Sequence, residues 1–318
     1  MRAIPLLTLL LGGWFVVPAH ADEAQDWLTR LGQAEQQQSF HGTFVYERNG
    51  SFSTHNIWHR VQDGKVRERL LQLDGSAQEV VRIDGRTQCV SGILIAGLGD
   101  SPSSSARTLD PQKLKNWYDL AVIGKSRVAG RSAVIVSLTP RDQHRYGFEL
   151  HLDKETGLPL KSLLLNERGQ LLERFQFTQL DTADVPSDSD LQPGADCKTV
   201  ALDSDKASAI KAAQVWRSDW LPPGFELISS TSRKDPETKT QVNSLMYDDG
   251  LARFSVFLEP LNGATITDTR TQLGPTAAVS RRLTTPQGEM MVTVVGEIPI
   301  GTAERIALSM RSDATATK

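Results

Sequence analysis

Turn signals recur at a regular interval through the first third of the chain. Asn49-Gly50, Asp63-Gly64, Asp74-Gly75 and Asp84-Gly85 follow one another at intervals of about eleven residues. An Asn-Gly or Asp-Gly pair readily adopts the backbone conformation of a tight hairpin turn, and strand-like runs lie between these pairs. The spacing therefore predicts an antiparallel meander, in which each strand pairs with the next one along the chain.

A helix and further strands complete the predicted sheet domain. Trp27, Leu28, Leu31 and Ala34 recur at helical spacing, which predicts a helix over 26–38. More strand-like runs follow, at 132–139, 146–152, 160–166 and 171–180. A sheet with one apolar face must cover that face, so we expect the sheet to curl around the helix. A curled sheet of this kind readily leaves an apolar cavity.

The first 21 residues have the pattern of a secretory signal peptide. Met1-Arg2 supplies a basic start, residues 4–17 are largely apolar, and Ala19-His20-Ala21 has the small-x-small form of a cleavage site. The stretch is short and broken by glycine, which disfavours a membrane-spanning helix. We therefore expect a protein that is soluble outside the cytoplasm.

The charge and the cysteines narrow the chemistry further. The net charge is −3, which argues against a general nucleic-acid binder, because such a protein needs a strongly basic surface. The chain contains two cysteines, Cys89 and Cys197. An oxidising compartment permits a disulfide between them, and the alternative is two buried thiols. Sequence alone does not show that the two cysteines meet.

A change of composition divides the chain into two domains. Residues 181–213 are rich in Asp, Ser, Pro and Ala and contain few large apolar side chains, which is typical of a linker. Strand patterns resume after Pro222-Pro223-Gly224, and a C-terminal helix follows with Thr302 as its expected cap. We therefore predict a signal peptide over 1–21, a sheet domain over 22–180, a linker over 181–213 and a smaller α+β domain over 214–318.

No residue pattern predicts an enzyme, a cofactor or a metal site. The segment GLGDSPS at 97–103 contains a Gly-Asp-Ser sequence like that of one esterase class, but no Asp-x-x-His follows late in the chain. We therefore interpret it as a polar loop. His55 and His59 lie on the same side of a predicted strand, but no third metal ligand is near them in sequence. We interpret them as histidines of the sheet.

The second hairpin predicts a cluster of arginines. If Asp63-Gly64 forms a tight two-residue turn, Arg60 lies opposite Arg67 and Trp58 lies opposite Arg69. All four side chains then project from the same face of the sheet. Like charges placed directly opposite each other destabilise a strand pair. The cluster therefore suggests an anionic counterpart.

Two interpretations of this basic face stay open. The counterpart is either a set of carboxylates on a partner chain or the phosphates of a lipid, both of which arginine binds well. The alternative is a solvated face balanced by Glu47 and Glu79. A different register of the turn would separate the arginines.

Several segments together resemble the RseB/MucB-type regulators of the extracytoplasmic stress sigma factor. They occur in the family's order and cover nearly the whole exported chain, except the linker. These segments are DGSAQEVVRIDG, HLDKETGLPLKSLLLNERGQLLERFQF, DWLPPGFEL, YDDGLARFSVFLEP and VTVVGEIPIGTAERIAL. The stretch SFHGTFVYERNGSFSTHNIWHR is most similar to the MucB branch, which controls alginate production.

This resemblance implies a periplasmic protein that is not an enzyme. It implies an N-terminal half-barrel closed by helices, similar to the lipoprotein carriers LolA and LolB, and a smaller α+β domain packed against it. Such proteins bind the periplasmic part of a membrane-spanning anti-sigma factor and shield it from the site-1 protease. Lipid or lipopolysaccharide-like signals release them.

Two further function classes are compatible with a secreted sheet protein. A soluble periplasmic lipid or lipoprotein carrier is the alternative, and it would need only the first domain. A secreted hydrolase is the third class, for which no nucleophile and base can be named. The presence of a second domain favours the regulator. Homo-oligomerisation is compatible with every one of these readings.

Overall fold

The computed structural model describes residues 19–76, 78–91, 109–200, 216–234, 240–263, 267–286 and 288–312. Within these ranges the strands form an eleven-stranded sheet, a six-stranded sheet and a two-stranded pair. No described helix is long and apolar enough to cross a membrane. The predicted signal peptide falls outside the described residues as far as residue 18.

The large sheet consists of two antiparallel meanders joined at its centre. Its strands are β1 (Phe40–Arg48), β2 (Ser51–Gln62), β3 (Lys65–Gln72), β4 (Glu79–Ile83), β5 (Arg86–Ser91), β6 (Tyr118–Val128), β7 (Arg131–Pro140), β8 (Gly147–Asp153), β9 (Pro159–Leu165), β10 (Leu171–Asp181) and β11 (Lys198–Thr199). Their order is β11-β5-β4-β3-β2-β1-β10-β9-β8-β7-β6, so the pairing of β1 with β10 connects the two meanders. The sheet stays open because β11 and β6 are its two edges.

Two helices cover one face of this sheet. They are α1 (Ala19–Gln37) and α2 (Pro111–Leu114). Trp27, Leu28 and Leu31 of α1 pack with leucines and valines of β6, β7 and β8. Ala34, one turn later, packs with Phe40 and other buried residues of β1, β3, β4 and β10. The helical spacing of these residues thus reflects their burial against both meanders of the sheet. The helix begins earlier than the predicted start at residue 26.

The smaller sheet lies in the C-terminal part of the chain. Its strands are β13 (Glu226–Lys234), β14 (Gln241–Asp248), β15 (Arg253–Pro260), β16 (Thr269–Leu273), β17 (Thr276–Thr285) and β18 (Gly288–Gly296). The helix α3 (Ile300–Ser309) packs on this sheet, and β12 (Trp216–Ser218) pairs with β19 (Met310–Ser312). Thr302 was expected to cap α3, but Pro299 occupies the cap position and Thr302 is buried in the first turn.

The structure confirms the predicted fold class. A large, open antiparallel sheet with few helices precedes a separate smaller sheet with its own helix. The sheets have distinct cores, since Phe254, Val256 and Val292 belong to a cluster of C-terminal residues.

The first part of the predicted linker 181–213 is not extended away from the sheet. Residues 182–199, which we call the strap, run from the end of β10 across β2, β3 and β4 to pair with β5. Leu191 of the strap is 1% exposed. Burial of this side chain and polar contacts hold the strap against the sheet, although its composition predicted a linker. The rest of the predicted linker, except Val200, lies outside the described residues.

Candidate functional site

The hairpin of β2 and β3 has the register predicted from its turn. Asp63 and Gly64 both have positive φ, 53° and 72°, as a tight hairpin turn requires. Arg60 is therefore paired with Arg67, and Trp58 with Arg69. His59, which lies between Trp58 and Arg60 in β2, contacts the carbonyl oxygen of Glu35 in α1. Because neighbouring residues of a strand point to opposite faces, the four side chains lie on the face of the sheet away from α1.

The strap supplies the anion that the arginine pair requires. Asp188 Oδ1 lies 2.5 Å from Arg60 Nη2 and 3.0 Å from Arg67 Nη1. Arg60 Nη1 also donates to the carbonyl oxygen of Pro186 at 3.2 Å. Hydrogen bonding to Arg60, with the charge of both arginines, holds the pKa of the Asp188 carboxyl below its usual value. One carboxylate of the chain itself thus bridges the pair of opposed arginines and offsets one of their two charges.

Arg69 has partners on both the sheet and the strap. Its Nε lies 2.5 Å from Glu79 Oε1, and its Nη1 donates to the carbonyl oxygen of Asp190 at 3.0 Å. Its guanidinium carbon lies 5.1 Å from the centre of the Trp58 ring. Glu79 also accepts a hydrogen bond from the amide of Gly194 at 2.9 Å. The strap thus covers Arg60 and part of Arg69, whereas Arg67 stays partly exposed.

This arrangement differs from both interpretations of the sequence. Glu79 does balance the arginines, but Glu47 pairs with Arg174 at 3.3 Å and takes no part. The main anion is Asp188, which lies far from the hairpin in sequence and within the segment predicted as a linker. The proposed external counterpart therefore has to compete with the strap.

A disulfide fixes the C-terminal end of the strap. Cys89 of β5 is bonded to Cys197, with 5.5 Å between their Cα atoms. Lys198 and Thr199 then pair with Val90 and Cys89. The sequence left open a disulfide or two buried thiols, and the structure contains the disulfide.

His55 and His59 are held within the sheet domain. His59 stacks on Phe40 and its Nε2 lies 3.0 Å from the carbonyl oxygen of Glu35. His55 stacks on Phe44, and burial lowers the pKa of its imidazole. Both rings therefore stack on aromatic residues of the sheet domain. The Gly-Asp-Ser segment at 97–103 lies outside the described residues.

A second cluster of charges, which the sequence did not reveal, joins the two sheets. Arg145, in the connection between β7 and β8, lies with its Nη1 2.6 Å from Asp249 Oδ2. Its Nη2 contacts Asp142 Oδ2 at 2.9 Å and the carbonyl oxygen of Pro223 at 2.6 Å. The side chains of Arg145 and Asp249 are both 0% exposed. We call this set of contacts the junction.

Asp249 is bound from both sides of the junction. Its Oδ1 accepts hydrogen bonds from the amides of Leu251 and Ala252, and the Tyr118 hydroxyl donates to its Oδ2 at 3.2 Å. Burial raises the pKa of the Asp249 carboxyl, whereas these donors and Arg145 favour its charged form. A buried ion pair of this kind is specific for one geometry, because each displaced donor or acceptor would be left without a partner.

Apolar and close contacts surround the ion pair. The ring centre of Phe225 lies 5.1 Å from the guanidinium carbon of Arg145. Gly224 has a φ of +87°, and a Cβ atom at this position would lie 2.3 Å from the Trp117 ring. His144 Nδ1 lies 3.2 Å from Thr302 Oγ1. The junction therefore fixes how the smaller sheet sits on the larger one.

The arrangement suits binding and conformational coupling. Arg145 lies in the polar segment RDQHRYG, which resembles an exposed loop, and Asp249 lies in a segment noted only for its family resemblance. Either residue alone gives no signal of burial. The charged groups described above are all engaged in pairs between elements, and such pairs position segments of the chain relative to one another.

Comparison with known proteins identifies both parts of the chain. The profile of the MucB/RseB N-terminal domain matches residues 23–195, and that of the MucB/RseB C-terminal domain matches 210–311. The first match includes most of the strap. The chain is 62% identical to the sigma factor AlgU regulatory protein MucB of Pseudomonas aeruginosa, over 100% of both chains. It is 30% identical to the sigma-E factor regulatory protein RseB of Escherichia coli K12, over 89% of each.

Solved structures give the same result. The structure matches the complex of P. aeruginosa MucA and MucB with a TM-score of 0.82 and 62% identity, over 92% of this chain and 100% of that one. It matches MucB in complex with periplasmic MucA with a TM-score of 0.79 over the same shares. A crystal structure of MucB scores 0.69 at 60% identity, over 92% of this chain and 98% of that one.

Proposed function

The chain belongs to the MucB/RseB family, and from this premise we propose that it regulates a sigma factor by binding the periplasmic domain of a MucA-type anti-sigma factor. The observation that carries the proposal is the full-length identity of 62% to MucB, a protein solved in complex with periplasmic MucA. The relatives named by the comparisons are regulatory proteins rather than enzymes.

Binding would control the sigma factor through proteolysis. A chain that covers the periplasmic segment of the anti-sigma factor removes that segment from the reach of the site-1 protease. The anti-sigma factor then persists and holds the sigma factor, so that envelope-stress and alginate genes stay repressed. Under this proposal the chain acts in the periplasm, after removal of residues 1–21 as a signal peptide. The Cys89–Cys197 disulfide is compatible with that oxidising compartment.

A lipid signal would release the complex by changing the arrangement of the two domains. The chain resembles the two MucA complexes more closely than the MucB crystal structure, with TM-scores of 0.82 and 0.79 against 0.69, although each match covers 92% of it. We propose that this difference reflects two arrangements of the domains within the family. A ligand that binds one arrangement better shifts the population only by its differential affinity.

The junction is the part of the chain that such a shift would change. The ion pair of Arg145 and Asp249 bridges the two sheets. A new arrangement of the domains therefore either breaks this ion pair or moves both residues together. Lipid and anti-sigma factor would then compete through domain arrangement rather than through one shared pocket. By linkage, each ligand should weaken the binding of the other by the same factor.

Crosslinking in the periplasm, followed by purification of the chain and mass spectrometry, tests the function. Recovery of an anti-sigma factor supports the regulator. Recovery of lipoproteins without an anti-sigma factor would favour the alternative, a soluble carrier. Light scattering on the same preparation determines whether the chain forms a homo-oligomer.

A further inference from the structure

The strap contacts the basic face in the way that a bound anion contacts its binding site. Asp188 places a single carboxylate oxygen between Arg60 and Arg67, yet its side chain is 76% exposed. Solvent therefore reaches the carboxylate while the two cations hold it. An external anion of similar size could take its place if the strap moved.

The cationic side of this contact is built into the fold. The side chain of Arg60 is only 10% exposed, and its Nε is buried with no hydrogen-bond partner among the described residues. Register fixes Arg67 directly opposite Arg60 in the hairpin. The strap contributes Asp188, together with the carbonyl oxygens of Pro186 and Asp190. Without the strap, Arg60 and Arg67 would present unpaired donors on one face, whereas Arg69 would keep its ion pair with Glu79.

We propose that the strap is a redox-gated cover over a phosphate-binding site formed by Arg60, Arg67 and Arg69, and that reduction of the Cys89–Cys197 disulfide opens it. A phosphate group offers several acceptor oxygens, which match the forked donors of neighbouring guanidinium groups. Trp58, which lies 5.1 Å from Arg69, forms one wall of the site. This surface is separate from the junction.

The disulfide determines whether an external ligand can compete. A tether at each end keeps Asp188 at a high effective concentration beside the arginines. One end is the continuous chain from β10, and the other is the bond to Cys89. Once that bond is broken, exposed ion pairs of the kind formed by Asp188 are worth little. Phosphate in solution then competes with a carboxylate that is held only by the chain from β10 and by the burial of Leu191.

The redox step is balanced by a dithiol reductant. One thiolate of the dithiol attacks the sulfur of Cys197, which is partly exposed, whereas Cys89 is 5% exposed. The Cys89–Cys197 bond breaks, a mixed disulfide forms, and the second thiol of the reductant displaces Cys197. In total, two electrons and two protons pass to the two cysteines, and the dithiol becomes a disulfide.

Calorimetric titration of the full chain at low salt, with inorganic tripolyphosphate as the probe, tests the proposal. The oxidised chain is compared with the chain reduced by dithiothreitol. We expect binding to become about tenfold tighter on reduction, because each hydrogen bond to a freed guanidinium is worth about that factor. Equal affinity in the two states would overturn the gating.

Two variants test the arginine site and the strap independently. Asp188→Asn in the oxidised chain removes the internal anion without touching the disulfide, and we expect it to tighten tripolyphosphate binding as well. Adding Arg67→Gln to Asp188→Asn should abolish the gain. A gain that persists without Arg67, or no gain in Asp188→Asn, would show that phosphate does not bind at this face.

Discussion

The guanidinium group of Arg145 lies 2.6 Å from the carboxylate of Asp249, and neither side chain is exposed to solvent. The two residues lie in strand connections of different sheets, so their contact joins the two domains. Removing both charges from water is costly, and the cost is recovered only while the geometry of the pair is kept. This pair is therefore sensitive to a change of domain arrangement.

Breaking this pair on one side should be more damaging than removing it altogether. We expect Arg145→Met to lower the free energy of unfolding by about 3–5 kcal/mol, because it leaves the buried carboxylate of Asp249 without its cation. Adding Asp249→Asn should recover part of the loss, since an amide still accepts from Leu251 and Ala252. Urea unfolding of the single and double variants measures the coupling. Strictly additive losses would contradict the account.

Gly224 should be essential to the close approach at the junction. Gly224→Ala brings a Cβ to 2.3 Å from Trp117 and adds the strain of a left-handed φ. The matched control is Gly169→Ala, since Gly169 has a φ of +72° but no atom near the added Cβ. We expect the control to cost about 1–2 kcal/mol and Gly224→Ala to cost more. Equal losses in thermal or urea unfolding would show that Trp117 moves aside freely.

Acid should weaken the fold through His144. Burial, helped by Arg305 and Arg145, lowers the pKa of His144 from its ordinary value of 6.5, although Asp142 opposes this shift. The unfolded chain therefore takes up a proton at this residue before the folded chain does. Stability should fall as the pH is lowered through 6.5, with a slope of at most about 1.4 kcal/mol per pH unit for one proton.

His55 and His151 contribute to the same trend, because burial lowers the pKa of both imidazoles. The variant His144→Gln isolates the contribution of the junction. Its unfolding free energy should depend less steeply on pH than that of the unaltered chain. An unchanged slope would place the acid sensitivity elsewhere.

The disulfide should stabilise the domain that contains the strap. Cys89 and Cys197 are separated by 108 residues, so their bond removes considerable entropy from the unfolded chain. We expect the double variant Cys89→Ala/Cys197→Ala to lose about 2–5 kcal/mol in urea unfolding. Reductant should lower the stability of the unaltered chain and leave the double variant unchanged. A reductant effect on both proteins would point to a different cause.

Local rules predicted the hairpin but not its anion. Asp63-Gly64 fixes a tight turn, and a tight turn fixes which residues face each other, so Arg60 and Arg67 could be paired from the sequence. Asp188 could not be assigned to them. It lies in a segment without periodic apolar residues, where the burial of Leu191 leaves no repeated pattern.

The sequence did not predict the junction for a related reason. Burial of a charged side chain depends on its partners, and the partners of Arg145 come from its own loop and from the other domain. A single sequence shows no link between such distant segments. The strand pattern and the order of the family segments predicted the fold class and the family, whereas the contacts between segments required the structure.

The central claim is that the chain binds a MucA-type anti-sigma factor and protects it. Its most direct test is to titrate the periplasmic domain of the organism's own MucA-type protein with the full chain and follow cleavage by the site-1 protease. The account predicts saturable binding, with cleavage slowed in proportion to the fraction bound. Absence of binding, or cleavage at an undiminished rate when the anti-sigma domain is fully bound, would contradict it.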